Sequence, residues 1–207
     1  MSEHRQRIVT LDLEGVLIPE IWIAVAEQTG IEELRRTTRD EPDYDVLMRQ
    51  RLDILADHDL TMSMVAEVIS ELEPLPGARD FLDELRAETQ VIILSDTFEQ
   101  FADPLIAQLG RPTIWCHQLL IEDDRIVDYR LRLPDQKRRA VEALRALEFT
   151  VVAAGDSYND TSMLLSAHRG FLFRSPERVR IDFPDIVALD DYDELLEAIR
   201  SAFSTLV

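Results

Sequence analysis

The chain holds a single cysteine, Cys116, among 207 residues. No intrachain disulfide can form, and a lone thiol suits a reducing compartment, so a cytoplasmic location is expected. Long apolar runs are also missing. None approaches the roughly 20 residues that span a bilayer, and the opening MSEHRQRIV passes into a strand pattern without an apolar leader core. No export signal and no membrane partner are therefore expected. Basic residues are scarce: 22 Lys and Arg stand against 41 Asp and Glu, a net charge of −19. Such a balance repels a phosphate backbone and sets nucleic acid aside as a partner. Most of the acid lies on polar helix faces such as DELRAE and DDYDELLEAIRS, where it maintains solubility. Internal repeats and low-complexity tracts are absent.

What is present is alternation. RIVTLDLEG, TQVIILSDT and TVVAAGDSYND each read as a buried strand that ends abruptly in Asp, Ser or Gly. Helical patterns separate them, which predicts an α/β fold with a Rossmann-like parallel sheet covered on both faces. Ligands in such folds sit beyond the carboxyl ends of the strands. GFLF at 170–173 and DIVAL at 185–189 predict further strands, and a closing helix is expected around 192–203. Between the first two strands lies a helical insertion, from PEIWIAVAEQTG, stopped by Gly30, through YDVLMRQRLDILADH to TMSMVAEVISELE with Thr61 as its N-cap. The expected organisation is a core domain of residues 1–18 and 75–207 with a helical cap subdomain of residues 19–74. WCHQLLIEDDRIVDYRLRL adds an expected β-hairpin flap around 122–125.

The strand ends carry the chemistry. Asp12 alone would be read as a turn or cap residue, but Asp156 ends a second strand in the same way. Two acids brought together repel unless a cation separates them, and Mg2+ prefers hard oxygen ligands and substrate phosphate. Ser95 ends the middle strand, where its hydroxyl and the amides of the SDTF turn can donate to an oxyanion. Lys137 opens a helix in LPDQKRRAVEALRAL, where the macrodipole disfavours a cation; either it serves a site or, with Arg138 and Arg139, it forms a solvated basic face. A carboxylate, a metal, a lysine and hydroxyl donors together describe phosphoryl transfer, with Asp12 attacking phosphorus. His58, His117 and His168 lack metal-like spacing and are read as packing residues, as are Met62 and Met64. Trp22, close after Glu20, is expected near the mouth of the site.

DLEGV, Ser95 in VIILSDT, Lys137 and GDSYND resemble, in that order, the four motifs of the haloacid dehalogenase-like phosphatases, over essentially the whole chain. The resemblance implies Asp12 as nucleophile, and Mg2+ held by Asp12, Asp156 and Glu14, the last through its main-chain carbonyl. Asp160 would support the metal shell or Lys137. Glu14 stands where the family has a second aspartate, the general acid and base, and inherits that role. DLEGVLIPEIW, TTRDEPDYDVLM, LSDTF and AAGDSYNDT narrow the resemblance to the family's phosphoserine phosphatase and homoserine phosphotransferase branch. That branch implies an enzyme of serine or threonine biosynthesis, with the substrate ammonium on Glu20 and its carboxylate on Arg51. Asp96, through its main chain, and Asn159 would meet phosphate or substrate beside Ser95 and Lys137. The expected partners are small molecules, phosphoserine with homoserine as acceptor, and the sequence is compatible with a homodimer. Three other readings stay open: a phosphatase for another small phosphoester, a phospho-ligand-binding module without turnover, and a signalling receiver. The receiver fits poorly, because its acceptor Asp ends the third strand of a smaller, capless domain.

Overall fold

The computed structural model describes residues 6–38, 40–41 and 43–206; parts of MSEHRQRIV and positions 39 and 42 of TTRDEPDYDVLM lie outside the described residues. Seven strands, β1 (Arg7–Leu11), β2 (Gln90–Phe98), β3 (Thr113–Glu122), β4 (Arg125–Arg130), β5 (Thr150–Gly155), β6 (Arg169–Phe173) and β7 (Val187–Leu189), form one sheet. Their spatial order is β4-β3-β2-β1-β5-β6-β7, parallel throughout except for the antiparallel β3–β4 hairpin. The three runs picked out by their polar endings are thus the three central strands, and GFLF and DIVAL supply β6 and β7.

Strand periodicity divides the core. Val9, Leu11, Val152 and Ala154 face one side, with α4 (Ala78–Glu88), α5 (Glu99–Gln108) and α9 (Tyr192–Thr205). Ile8, Val151, Ala153 and Leu172 face the other, against α6 (Gln136–Ala146), α7 (Thr161–Ser166) and α8 (Glu177–Asp182). Both faces are covered, so each buried Val, Leu or Ile contributes about 1.5–3 kcal/mol of apolar burial.

Between β1 and β2 run α1 (Ile21–Thr29), α2 (Tyr44–Asp57) and α3 (Met62–Ser70). Gly30 ends α1 at φ 72, and the Thr61 side chain caps α3 by accepting from Met64 N–H, as the sequence predicts. The Leu75 N–H donates to the Leu17 carbonyl at 2.9 Å, drawing together the chain segments on either side of these helices. The helices share an apolar cluster with the sheet, Trp22 meeting Phe101 edge to face at 5.5 Å between ring centroids. Met62 packs against that cluster, but Met64 is 46% exposed, because it falls on the solvent side of α3.

The hairpin turn at Asp123 and Asp124 has φ of 46 and 64, a left-handed pair that Asp tolerates. Asp124 accepts from Ser63 N–H and Oγ at 3.0 and 2.8 Å, and Arg49 reaches Asp128 at 2.7 Å, so the hairpin lies against α2 and α3. Cys116 is buried in β3, where burial pushes its thiol up to about 12 and leaves it unreactive. Among the described residues, no helix is long and apolar enough to cross a membrane.

Candidate active site

The order β2-β1-β5 makes the carboxyl end of β1 a topological switch point, where the chain leaves one neighbour for the other. Asp12 follows β1, Ser95, Asp96 and Thr97 occupy the last part of β2, and Asp156 follows β5. Asp12 N–H donates to the Ala154 carbonyl at 3.0 Å, which levels the two acidic ends. All three strand ends open into one pocket, which also takes Glu14, Glu20, Trp22, Arg51, Lys137 and Asn159 into its lining.

At its floor, Lys137 Nζ lies 2.8 Å from Asp12 Oδ1, 2.7 Å from Asp160 Oδ1 and 3.7 Å from Asp96 Oδ2. Lys137 is 2% exposed, turned inward from the first turn of α6, so the solvated-face reading does not hold for it. Arg138 does follow that reading, bridging Asp135 and Glu142 at the surface. Burial alone would lower the Lys137 pKa; Asp12, Asp160 and Asp96 overcome this and hold it well above the ordinary value. Asp12 moves upward too, first through burial and then through repulsion from Asp160 and Asp156, against the pull of Lys137. One lysine does not balance this much buried acid.

GDSYND explains the rest of the floor. Asp160 Oδ2 accepts the N–H groups of Asp156 and Ser157 at 3.0 and 3.1 Å, fixing the loop in a capping box. Gly155 is required there, since a Cβ would fall 2.4 Å from Asp160 Cγ. Gly15, at φ 76, is required too, since its Cβ would fall 2.7 Å from Asp156 Cγ. The Asp12–Gly15 turn therefore runs against the Asp156 carboxylate. Asp12, Asp156 and Asp160 each offer an oxygen within 4.8 Å of the others. This all-oxygen donor set, with its excess of buried negative charge, fits a hard divalent cation such as Mg2+.

The wall nearest the helices is polar. The Glu14 carboxylate accepts from Ile21 N–H at 2.9 Å, with Thr97 also lining the pocket. Burial and then the nearby Glu20 charge raise Glu14 to about 7, within reach of proton transfer at neutral pH. Glu20 precedes α1 without capping it through its side chain and lines the pocket instead. Arg51 is 7% exposed, unlike its exposed neighbour Arg49. Its guanidinium lies 4.6 Å over the Trp22 ring and donates to the Arg36 carbonyl at 2.8 Å, while its buried Nε has no hydrogen-bond partner. Burial lowers Arg51 to about 10, still charged near neutral pH.

Along β2, Ser95 is 1% exposed and its Oγ accepts from Thr97 N–H at 3.2 Å. Asp96 enters mainly by its side chain: Oδ2 accepts from Asn159 Nδ2 at 2.9 Å and lies near Lys137. Burial would raise Asp96, but Lys137, His117 and Asn159 hold it well below the usual carboxylate range. Its main-chain carbonyl accepts the Tyr44 hydroxyl at 2.7 Å, a link from α2. Tyr44 and Thr97, which line the pocket, and His117, which lies behind Asp96, are residues that sequence reasoning missed. Only the polar run SDT offered a signal for Thr97; the other two arrive by tertiary folding.

A family model for haloacid dehalogenase-like hydrolases matches residues 6–168. The Pseudomonas aeruginosa protein named phosphoserine phosphatase ThrH is 56% identical over 198 residues, spanning 95% of this chain and 97% of its own. A phosphoserine phosphatase of Pseudomonas syringae pv. tomato is 56% identical over 196 residues, spanning 94% and 83%. Among solved structures, a phosphoserine phosphatase described as a phospho-aspartyl intermediate analogue matches with a TM-score of 0.79 at 21% identity, over 94% of this chain and 99% of that one. At that identity the likeness shows a common fold. With strand-end acids, buried lysine and family match in agreement, the chain belongs to the haloacid dehalogenase-like hydrolases.

Proposed function

We propose that the protein removes the phosphoryl group of L-phosphoserine through an aspartyl-phosphate on Asp12 and passes it to water or to homoserine. The observation that carries this reading is one pocket with Asp12 and Lys137 at its floor and, on its wall, Glu20 beside a buried Arg51 whose Nε has no partner. The 56% identity to a protein named phosphoserine phosphatase ThrH supports it.

In the proposed reaction an Asp12 oxygen attacks phosphorus as the ester P–O bond breaks, and Glu14 gives its proton to the departing serine oxygen. Glu14 then takes a proton from water or the homoserine hydroxyl, whose oxygen attacks phosphorus and frees Asp12. Lys137 offsets charge on Asp12 and on the phosphoryl oxygens, with Ser95 and Asn159 as hydrogen-bonding partners. Asp12, Asp156 and the Glu14 main-chain carbonyl would hold Mg2+, with Asp160 supporting Lys137. When bound, Mg2+ supplies charge neutralisation and polarisation of the phosphoryl group. Arg51 pairs the amino acid's carboxylate and Glu20 its ammonium; serine and homoserine share both groups, so one pocket serves either. In the same reading residues 19–74 act as a cap over a core of 1–18 and 75–207, limiting the water that competes with homoserine.

The test is phosphate release from L-phosphoserine with Mg2+, with and without homoserine, beside an assay for homoserine phosphate. Release that falls as homoserine phosphate appears is the expected result. Absence of turnover under both conditions overturns the amino-acid assignment.

A further inference from the structure

His117 is 3% exposed and lies on β3 behind the pocket, between the rings of Tyr44 and Phe98 at centroid distances of 5.9 and 6.3 Å. It does not line the pocket that holds Asp12. Its Nδ1 accepts the Arg132 N–H at 3.1 Å, which leaves Nε2–H as the donor of the ring. That nitrogen lies 3.5 Å from Asp96 Oδ1, and Gln136 Nε2 approaches the same oxygen at 3.2 Å. The other Asp96 oxygen faces forward, to Asn159 at 2.9 Å and Lys137 at 3.7 Å. One carboxylate thus has donors behind it and site residues in front.

We propose that His117 is a positioning residue: by fixing Asp96 from behind, it sets Lys137 and Asn159 in place for phosphoryl transfer. The aromatic walls shield the His117 side of the contact from water, while the Asp96 side chain is 27% exposed. Without the Nε2 donor, Asp96 keeps Gln136 on that oxygen but loses one of its two anchors, and the carboxylate gains freedom to swing. Asn159 then loses its acceptor and Lys137 one of three counter-charges, while Asp12 and Asp160 still hold the lysine. The loss should fall on the chemical step rather than on substrate capture, since Arg51 and Glu20 are untouched. The inference rests on Asp12 and Lys137 as the phosphoryl site and not on phosphoserine as the substrate.

Turnover of both L-phosphoserine and p-nitrophenyl phosphate should be measured for His117→Phe, His117→Gln, Asp96→Asn and the His117→Phe/Asp96→Asn double variant. His117→Phe keeps the ring volume without the donor, and kcat should fall roughly tenfold on both substrates, with the KM for L-phosphoserine within about twofold. His117→Gln restores an N–H near the Nε2 position and should recover most of the rate. The double variant should be no slower than Asp96→Asn alone, because both changes cut the same link. Full additivity, or an unchanged kcat in His117→Phe, overturns the proposal. The unsubstituted protein failing on phosphoserine but hydrolysing p-nitrophenyl phosphate would strike the substrate assignment and leave this test in force. Independent of turnover, imidazole nitrogen NMR should show His117 as the Nε2–H tautomer, with a resonance that moves in Asp96→Asn. A resonance indifferent to Asp96 also overturns it.

Discussion

Two cations in this molecule are each surrounded by three carboxylates. Lys137 sits among Asp12, Asp160 and Asp96, and Arg200 on α9 among Glu84, Glu88 and Glu197. The lysine side chain is 3% exposed and the arginine side chain 34%. Around Arg200 water screens every pair, and the group is an ordinary surface network. Around Lys137 the buried charges of Asp12 and Asp160 have lost their hydration, so burial and the neighbouring acids push the Asp12 pKa upward, the lysine cannot be spared, and a further cation is favoured. The same composition yields solubility at one end of the fold and reactivity at the other, and desolvation is the difference.

Asp12→Asn cuts deepest into the comparison. It should reduce turnover at least roughly 10³-fold, since the amide is no nucleophile, while the thermal midpoint stays level or rises. Burial and the neighbouring acids already penalise the Asp12 charge, so removing it relieves repulsion. Stripping divalent cations with a chelator should abolish turnover reversibly, and adding Mg2+ should raise the thermal midpoint because the ion binds only the folded acid cluster. Lys137→Ala should lower both activity and stability, the latter by about 3–5 kcal/mol, because it leaves buried carboxylates uncompensated. Denaturant unfolding would read this. Arg51→Lys keeps the charge but loses the planar fork, and the KM for phosphoserine should rise about tenfold, far more than that for p-nitrophenyl phosphate. Arg200→Ala, at the opposite extreme, should leave turnover unchanged and move the thermal midpoint by no more than a few degrees.

Much of the buried cluster was legible in the sequence because each member violates a local rule. Asp12 and Asp156 interrupt apolar strands, and Lys137 occupies a helix start that disfavours cations; in each case the local disadvantage reflects a tertiary partner. That the strand ends would converge was legible from which runs ended in chemistry, whereas the strand order came only with the structure. Arg51 is different, since nothing in YDVLMRQRLDILADH separates it from Arg49. The family resemblance picked it out, and burial over Trp22 sets it apart. His117 and Tyr44 break no local rule: a histidine in a strand and a tyrosine at a helix start are unremarkable until β3 lies beside β2 and α2 comes to rest on Asp96. The hairpin was expected, but its contacts with α2 and α3 depend on pairings 60 or more residues apart, such as Ser63 with Asp124.

The most direct measurement is to quench the enzyme during turnover of phosphoserine, reduce with borohydride, and map the modified residue by mass spectrometry. An acyl phosphate at position 12 is reduced to homoserine in the chain, so the predicted result is that conversion at Asp12 alone, with a smaller yield when free homoserine is present as acceptor. Sustained turnover with Asp12 unmodified, or a phosphoryl group found on Ser95, would contradict the account.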